Sequence, residues 1–163
     1  MAGISLEQNV AELERIAARS ALGAAAAANA MAKYIAERTA HDTLTRRRNP
    51  PGTWYKARPG EPPSYGTGAL ARSMYSHPAS GGLRASAVAG SSDRRARLFE
   101  FGSCLIQPRR EQRLHWKDSG GWWSHPVLRV DDDHPFLGPT TDEAIDDGEL
   151  WLIAIEAFRP YDP

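Results

Sequence analysis

Two glycines flank a threonine in the segment YGTGALARS (residues 65–73), a composition that can cradle a phosphate on a glycine-rich loop. A phosphate loop has a second glycine followed by lysine and then serine or threonine, and it follows a strand. This segment has no such lysine and follows a proline-rich run. It is therefore predicted to be a structural turn, in which Gly68 allows a tight turn into the first strand and Leu70 points into the core of a sheet.

The histidines and the single cysteine do not form a pattern typical of a metal or catalytic site. No two histidines have the i, i+4 spacing of a zinc protease, and Cys104 has no partner for a disulfide and no identifiable base. The run Asp131-Asp132-Asp133 offers carboxylates to magnesium or calcium, with a solvated loop as the alternative. The sequence therefore predicts a protein that is not an enzyme and has no metal and no cofactor.

The composition limits the size and the partners of the protein. With 163 residues, 41% of them hydrophobic, the chain can bury one modest core, so residues 1–163 are predicted to form a single domain. A formal net charge of +0 leaves only local or indirect contact with nucleic acid. No apolar run could cross a bilayer and no segment of signal-peptide type is present, so we expect a soluble protein made inside the cell, with no membrane partner.

Residues 5–42 have the pattern of one long helix. Ser5 and Gln8 form a capping box, and residues with apolar or small side chains then recur at three- and four-residue steps. The members of this stripe are Val10, Leu13, Ala17, Ser20, Ala24, Ala27, Met31 and Tyr34. The alanines either reflect helix propensity or allow another helix or subunit to approach closely. A helix of roughly 50 Å is longer than a small globule covers, which favours an intersubunit role for part of it.

Residues 45–66, which we call the arm, are rich in proline and glycine, so neither a helix nor a central strand is expected there. Trp54 and Tyr55 are costly to leave in water, which favours docking of the arm on its own or on a neighbouring subunit. Both residues are therefore candidates for a subunit interface. The basic and aromatic composition of the arm is also typical of single-strand nucleic-acid binders.

The remaining patterns indicate an antiparallel sheet over residues 67–130 with a short helix at 93–101 inserted in it. Two strand candidates, ALARSMYSHP and LRASAVAGSS, are joined by a glycine turn, and a β-hairpin is predicted with strands at 112–117 and 122–130. A C-terminal helix is expected over 140–158. The predicted fold is α+β: a long N-terminal helix, an antiparallel β-sheet with a short inserted helix and a β-hairpin, and a C-terminal helix.

The charges are segregated along the chain, although they sum to zero. Residues 94–113 are rich in arginine, whereas residues 131–149 are rich in aspartate and glutamate and contain no lysine or arginine. This polarity suits head-to-tail self-association, in which Arg109 and Arg110 of one subunit meet Asp146 and Asp147 of the next. Pairing of the two regions within one chain is the alternative.

Three motifs occur in order: TGALARS (67–73), LFEFGS (98–103) and HPFLGP (134–139), with IQPRREQRLHW and a hairpin between the last two. Together they resemble the neck or tail-completion (minor tail) protein family of long-tailed double-stranded DNA bacteriophages. The resemblance covers most of residues 5–158. Its motif residues are Thr67, Gly68, Leu70, Glu100, Phe101, Gly102, Pro135, Phe136, Leu137 and Pro139.

The resemblance implies a structural virion protein that forms a ring, expected to be hexameric, around the DNA channel at the head–tail junction and joins tail to head. The implied partners are further copies of the chain, other neck proteins (head-completion or stopper protein, tail terminator or tail tube) and the genomic double-stranded DNA that passes through the channel. The protein would be made in the host bacterial cytoplasm and located in the virion. The alternatives are a tail terminator that caps the tail tube and a small DNA-binding or packaging accessory protein.

The motif residues also have expected structural roles. The Glu100 carboxylate is expected to accept backbone or arginine hydrogen bonds and to anchor the short helix, while the rings of Phe99 and Phe101 pack beside it. In the third motif, two prolines at 135 and 139 frame Phe136 and Leu137 as a rigid hydrophobic plug that fixes where the last helix begins. Ser103 and Gly138 depart from the family pattern, in which threonine and arginine are common.

Overall fold

A computed structural model describes residues 6–45, 57–63, 68–80, 82–102, 104–106, 113–118, 120–125, 128–130 and 133–162. The predicted α+β fold, with a long N-terminal helix, antiparallel strands, a short helix and a helical C-terminal part, is confirmed. The helices are α1 (Leu6–Arg38), α2 (Ala69–Arg72), α3 (Ala96–Phe101), α4 (Leu137–Asp146) and α5 (Glu149–Phe158). The strands are β1 (Met74–Ser80), β2 (Ser86–Ser91), β3 (Cys104–Ile106), β4 (Leu114–Asp118), β5 (Gly121–His125) and β6 (Leu128–Val130).

The long helix α1 ends in a π-helical turn at Thr39–Thr43. In that turn the Leu44 N–H donates to the Thr39 carbonyl at 3.0 Å, five residues back instead of four. The wider turn changes the direction of the chain, and Leu44 becomes almost fully buried in the core. The predicted helix over 5–42 thus corresponds to α1 plus this turn.

The first predicted strand begins later than expected, because residues 69–72 form the short helix α2. Gly68 stands at its start with φ of 71°, a left-handed conformation that favours glycine. The Arg72 and Ser73 N–H groups then donate back to the carbonyls of Gly68 and Ala69, both at 3.0 Å. The prediction that Leu70 lies in a strand and points into a sheet is therefore wrong. Leu70 lies on α2 and packs against the core from there.

The strands form three two-stranded antiparallel sheets in the described part of the chain, instead of one continuous sheet. β1 pairs with β2, with Met74 opposite Ser91, and both strands lie against α1. The Asn29 side chain of α1 accepts a hydrogen bond from the Ala79 N–H of β1 at 2.5 Å. The predicted hairpin is confirmed as β4 and β5, but its second strand does not run on to 130, because β6 pairs with β3 instead.

The C-terminal helix is not continuous, in contrast to the prediction over 140–158. α4 already begins at Leu137, and the chain breaks at Gly148 before α5 begins at Glu149. Gly148 has φ of 73°, which cannot continue a right-handed helix. Asp142 and Glu143 consequently lie inside α4 and not in its first turn.

The buried core is small and draws on distant parts of the chain. Leu44, Ala96 and Phe136 form its centre. Partly buried apolar residues of α2, β1, α3 and α4 pack around them: Leu70, Ala71, Met74, Phe99 and Leu137. The expectation that Phe101 also packs is wrong, since its ring is largely exposed. Within the described residues no helix has both the length and the apolar character that crossing a bilayer requires.

Candidate functional site

The Glu100 carboxylate joins the second and third motifs. One oxygen, Oε2, accepts the backbone N–H groups of Phe136 at 2.9 Å and Leu137 at 3.0 Å, and Oε1 accepts that of Gly138 at 2.7 Å. Phe136 occupies the position before the first residue of α4, and no side chain of that position caps the helix. A helix start carries unpartnered N–H groups and a partial positive charge, so a carboxylate from α3 satisfies both.

This contact, which we call the motif junction, depends on the local geometry of both segments. The His134 N–H donates to the Phe99 carbonyl at 2.6 Å, which places the third motif alongside α3. A Cβ on Gly138 would stand 3.2 Å from Glu100 Oε1, so the absence of a side chain there lets the carboxylate approach closely. The expectation that Glu100 accepts backbone hydrogen bonds fits this geometry, but the donors belong to α4 and not to α3.

Phe136 is fully buried at the same junction and marks the point where α4 begins. The Thr140 hydroxyl on the next turn donates to the Phe136 carbonyl at 2.6 Å and also contacts the Thr43 hydroxyl at 2.6 Å. These bonds connect α4 to the π-helical turn after α1. Pro135 is half-buried and Pro139 is exposed, so the plug expected from the sequence consists chiefly of Phe136 and Leu137.

The described part of the arm, residues 57–63, docks on its own chain. The Gly60 N–H donates to the Asp133 carbonyl at 2.9 Å, and His134 Nδ1 donates to the Glu61 carbonyl at 3.0 Å. Ala57 is buried. His134 thus links the arm to α3, because its backbone N–H bonds Phe99 and its ring bonds the arm.

A second polar cluster, the Arg38 cluster, connects the end of α1 to α4 and α5. The Arg38 guanidinium pairs with Glu143 at 3.4 Å and Asp147 at 3.7 Å, and it also contacts Glu149 and donates to the Tyr34 hydroxyl at 3.1 Å. The Tyr34 hydroxyl donates to Glu149 Oε2 at 2.5 Å. This bond to Glu149, followed by burial, raises the pKa of Tyr34 above its usual value.

The Arg38 cluster was not predicted, and it bears on the expected contact between charged segments. Asp147 has a partner in its own chain, so its acidic segment is partly neutralised without a neighbour. Asp146 is exposed and has no ion pair with any described residue. In the arginine-rich segment, Arg95 pairs with Asp93 at 2.7 Å, and the hydrogen bonds that the side chain and the backbone N–H of Arg95 donate lower the pKa of Asp93 to about 2.

Several residues predicted to form the interface or the motifs lie outside the described residues. They are Trp54, Tyr55, Thr67, Arg109 and Arg110, together with Asp131 and Asp132 of the acidic run. The contacts predicted for them stay predictions. Among residues that the structure does describe, no three histidine, cysteine, aspartate or glutamate side chains are grouped in a way that could hold a metal ion.

Helix α5 leaves large apolar side chains in solvent. Trp151, Leu152 and Ile155 are 73%, 65% and 54% exposed, and we call these three residues the α5 patch. A cavity of about 330 Å³ adjoins it, lined by Ala27 of α1 and by residues of the α5 end, including Phe158 and Arg159. An apolar surface of this kind is typical of a contact with another macromolecule.

The amino-terminal turns of α1 form a second uncovered apolar surface. Val10 and Leu13 are 46% and 65% exposed, and residues 10–18 are exposed except for Ile16. We call residues 10–18 the α1 extension. From Arg19 onward one side of the helix is covered by its own chain, since Arg19 donates to the Asp162 carbonyl at 3.1 Å and Gly23 contacts Phe158.

Comparisons with protein-family models, with curated proteins and with solved structures find no match to this chain.

Proposed function

We propose that this chain is a structural virion protein of the head–tail junction of a long-tailed bacteriophage, which forms a ring around the DNA channel and joins tail to head. Its action in this proposal is assembly through complementary surfaces, without bond chemistry. The starting point is the resemblance of its three motifs to the neck and tail-completion proteins.

One structural observation supports the proposal in addition to the sequence motifs. Residues of all three motifs meet at one core: Leu70 of the first, Phe99 of the second, and Phe136 and Leu137 of the third. The second and third motifs are also joined by the three hydrogen bonds to Glu100, across 36 to 38 residues of chain. Unrelated short matches would have no reason to share a core, so this convergence supports reading the motifs as one structural unit.

The polar groups with shifted pKa values have partners that account for the shifts through contacts within the fold. Tyr34 and Arg38 hold helices together, and Asp93 and Arg95 pair beside the start of α3. None of these four lies beside the larger described cleft, of about 630 Å³, between the end of α1 and β1, which Lys33, His41 and Arg72 line. Tyr34 and Arg38 do line another described cavity, of about 460 Å³, together with Glu143 and Glu149. Both are held there by hydrogen bonds and ion pairs between helices, which explain their shifted pKa values without a reaction.

The proposal is tested by imaging the neck of the phage that encodes the chain. A reconstruction should contain a ring at the head–tail junction into which the fold fits, with the channel at its centre. Particles made without the protein should accumulate as filled heads and unattached tails. Absence of the protein from the virion would contradict the proposal.

The two alternatives predict other outcomes. A tail terminator would be favoured by two results together: tails of uncontrolled length form when the protein is absent, and the protein is located at the end of the tail tube in normal particles. A purified chain that binds double-stranded DNA with a strong dependence on salt concentration, and that is absent from finished particles, would favour a DNA-binding or packaging accessory protein.

A further inference from the structure

The α1 extension and the α5 patch are two uncovered apolar surfaces on one chain that cannot cover each other. α5 runs antiparallel beside α1, with Glu149 at Tyr34 and Phe158 at Gly23. At 1.5 Å per residue of helix, the patch lies about 20–30 Å along α1 from Leu13. Because α1 is a single unbroken helix over Leu6–Arg38, it cannot fold back to bring Leu13 onto α5.

We propose that the α1 extension of one copy packs on the α5 patch and the adjoining cavity of the next copy. This inference rests on the proposed function and deepens it, since it names the surface through which the ring would assemble. A contact between two different surfaces of identical chains is head-to-tail, and such contacts generate a ring when the rotation closes.

The extension offers aliphatic side chains, and the patch borders a cavity that can receive them. Val10 and Leu13 continue the stripe that Ala24, Ala27 and Met31 form on the covered part of α1, so the extension presents a ridge of aliphatic side chains. The α5 patch borders a cavity of about 330 Å³. A cavity of about 150 Å³ already admits benzene, so this one has room for the Leu13 side chain and a neighbour.

The charges at the edge of the patch favour a second copy of the chain. The three exposed side chains of the patch offer on the order of 400 Å² of apolar surface, about half of what one partner buries in a standard interface. Glu14 on the extension and Arg159 at the cavity have opposite charges, and neither forms an ion pair with a described residue. An anionic membrane is disfavoured because Glu149 and Glu156 lie on the same helix as the patch.

The test uses the purified full-length chain, with association followed by sedimentation velocity and light scattering. Leu13→Glu and Trp151→Glu should each weaken association by roughly 30-fold or more, as expected for a central interface residue. Val88→Glu, at another exposed apolar position, on β2, is the matched control and should associate like the wild type. Thermal unfolding checks that each variant is folded, and Leu13→Ser and Trp151→Ser replace any variant that is not.

Mixing the two variants gives the decisive measurement. Leu13→Glu keeps an intact patch and Trp151→Glu keeps an intact extension, so an equimolar mixture can form a single productive contact. We expect dimers in the mixture and monomers in each variant alone. Any of three results would overturn the inference. The mixture could stay monomeric, the Leu13→Glu variant alone could associate through contacts between two α5 patches, or the wild type could be a monomer.

These outcomes are separable from the proposed function. A chain located in the virion neck whose assembly is unaffected by Leu13→Glu and Trp151→Glu would overturn this interface and leave the proposed function standing. Binding of the monomeric wild type to phosphatidylglycerol vesicles, abolished by Trp151→Glu, would overturn the interface in favour of a membrane contact.

Discussion

The ring of Phe158 lies directly over Gly23: a Cβ built on Gly23 would stand 2.6 Å from Phe158 Cε2 and 3.0 Å from Tyr161 Cβ. Real Cβ atoms essentially never approach other atoms to under 3.0 Å, so the glycine is required for the packing of α5 on α1. The absence of a side chain at Gly23 therefore allows close approach of two helices within one chain. Close approach of another helix was one of the two explanations that the sequence left open for the alanines of α1, and at Gly23 the approaching helix is α5 of the same chain.

Gly23→Ala should destabilise the protein although alanine is the better helix former. The gain in helix propensity is about 1 kcal/mol, whereas displacing an aromatic ring and the following turn costs about 1–3 kcal/mol. We expect a net loss of up to about 2 kcal/mol in the free energy of unfolding, measured by urea denaturation. Phe158→Leu in the same chain should recover part of the loss, and additive effects of the two changes would contradict the contact.

Glu100→Gln should loosen the start of α4. Glutamine has one acceptor oxygen where glutamate has two, so at least one N–H among Phe136, Leu137 and Gly138 loses its partner. The free energy of unfolding should fall by about 2 kcal/mol. The matched control is Glu156→Gln on the exposed side of α5, where a change within about 0.5 kcal/mol is expected. Equal effects at both positions would contradict the capping role.

Asp93 should make a pH-dependent contribution to stability. Its hydrogen bonds to Arg95 lower the folded-state pKa to about 2 from 3.8, so the contribution is fully present above about pH 4 and is lost as the pH falls through about 2. Since the Arg95 side chain is 63% exposed, solvent screening limits the effect to about 1 kcal/mol. The difference in unfolding free energy between wild type and Asp93→Asn should therefore shrink towards zero over this range. A difference that stays constant with pH would exclude the carboxylate as its source.

Arg38→Met should destabilise the contact of α1 with α4 and α5. The substitution removes the cation between Glu143, Asp147 and Glu149 and leaves three carboxylates together. Because these carboxylates are partly exposed, we expect a loss of about 1–2 kcal/mol that decreases in concentrated salt. Arg84→Met, at an exposed position without an ion pair among the described residues, should have little effect at any salt concentration.

The long helix was predictable because its signal is local and repeated. The stripe from Val10 to Tyr34 covers several turns, and its period identifies a helix without any tertiary information. The β4–β5 hairpin was predictable for the same reason, since glycine and polar turn residues separate two short segments. The break at Gly148 was missed, because the apolar positions of α4 and α5 continue across it and a single glycine is also tolerated inside helices.

The contacts of the candidate site could not be predicted in detail, because they join residues far apart in the chain. Glu100 caps a helix that begins 37 residues later, and the absence of serine, threonine, aspartate or asparagine before Leu137 is the one local sign that the cap comes from elsewhere. Arg38 and Glu149 are 111 residues apart, and no spacing rule connects them. The short helix α2 was predicted as a strand because the left-handed conformation of Gly68 is not visible in the sequence.

Part of the cover of α1 comes from the opposite end of the chain, and this has a consequence for biosynthesis. Arg19 meets Asp162 across 143 residues, and Arg38 meets Glu149 across 111. At about 5–20 residues per second, α1 leaves the ribosome roughly 5–30 s before this C-terminal part of its cover is synthesised. Alanine forms helices readily but attracts other apolar surfaces only weakly, so an alanine-rich helix can remain uncovered during that interval. A helix with larger apolar side chains would attract chaperones and other nascent chains.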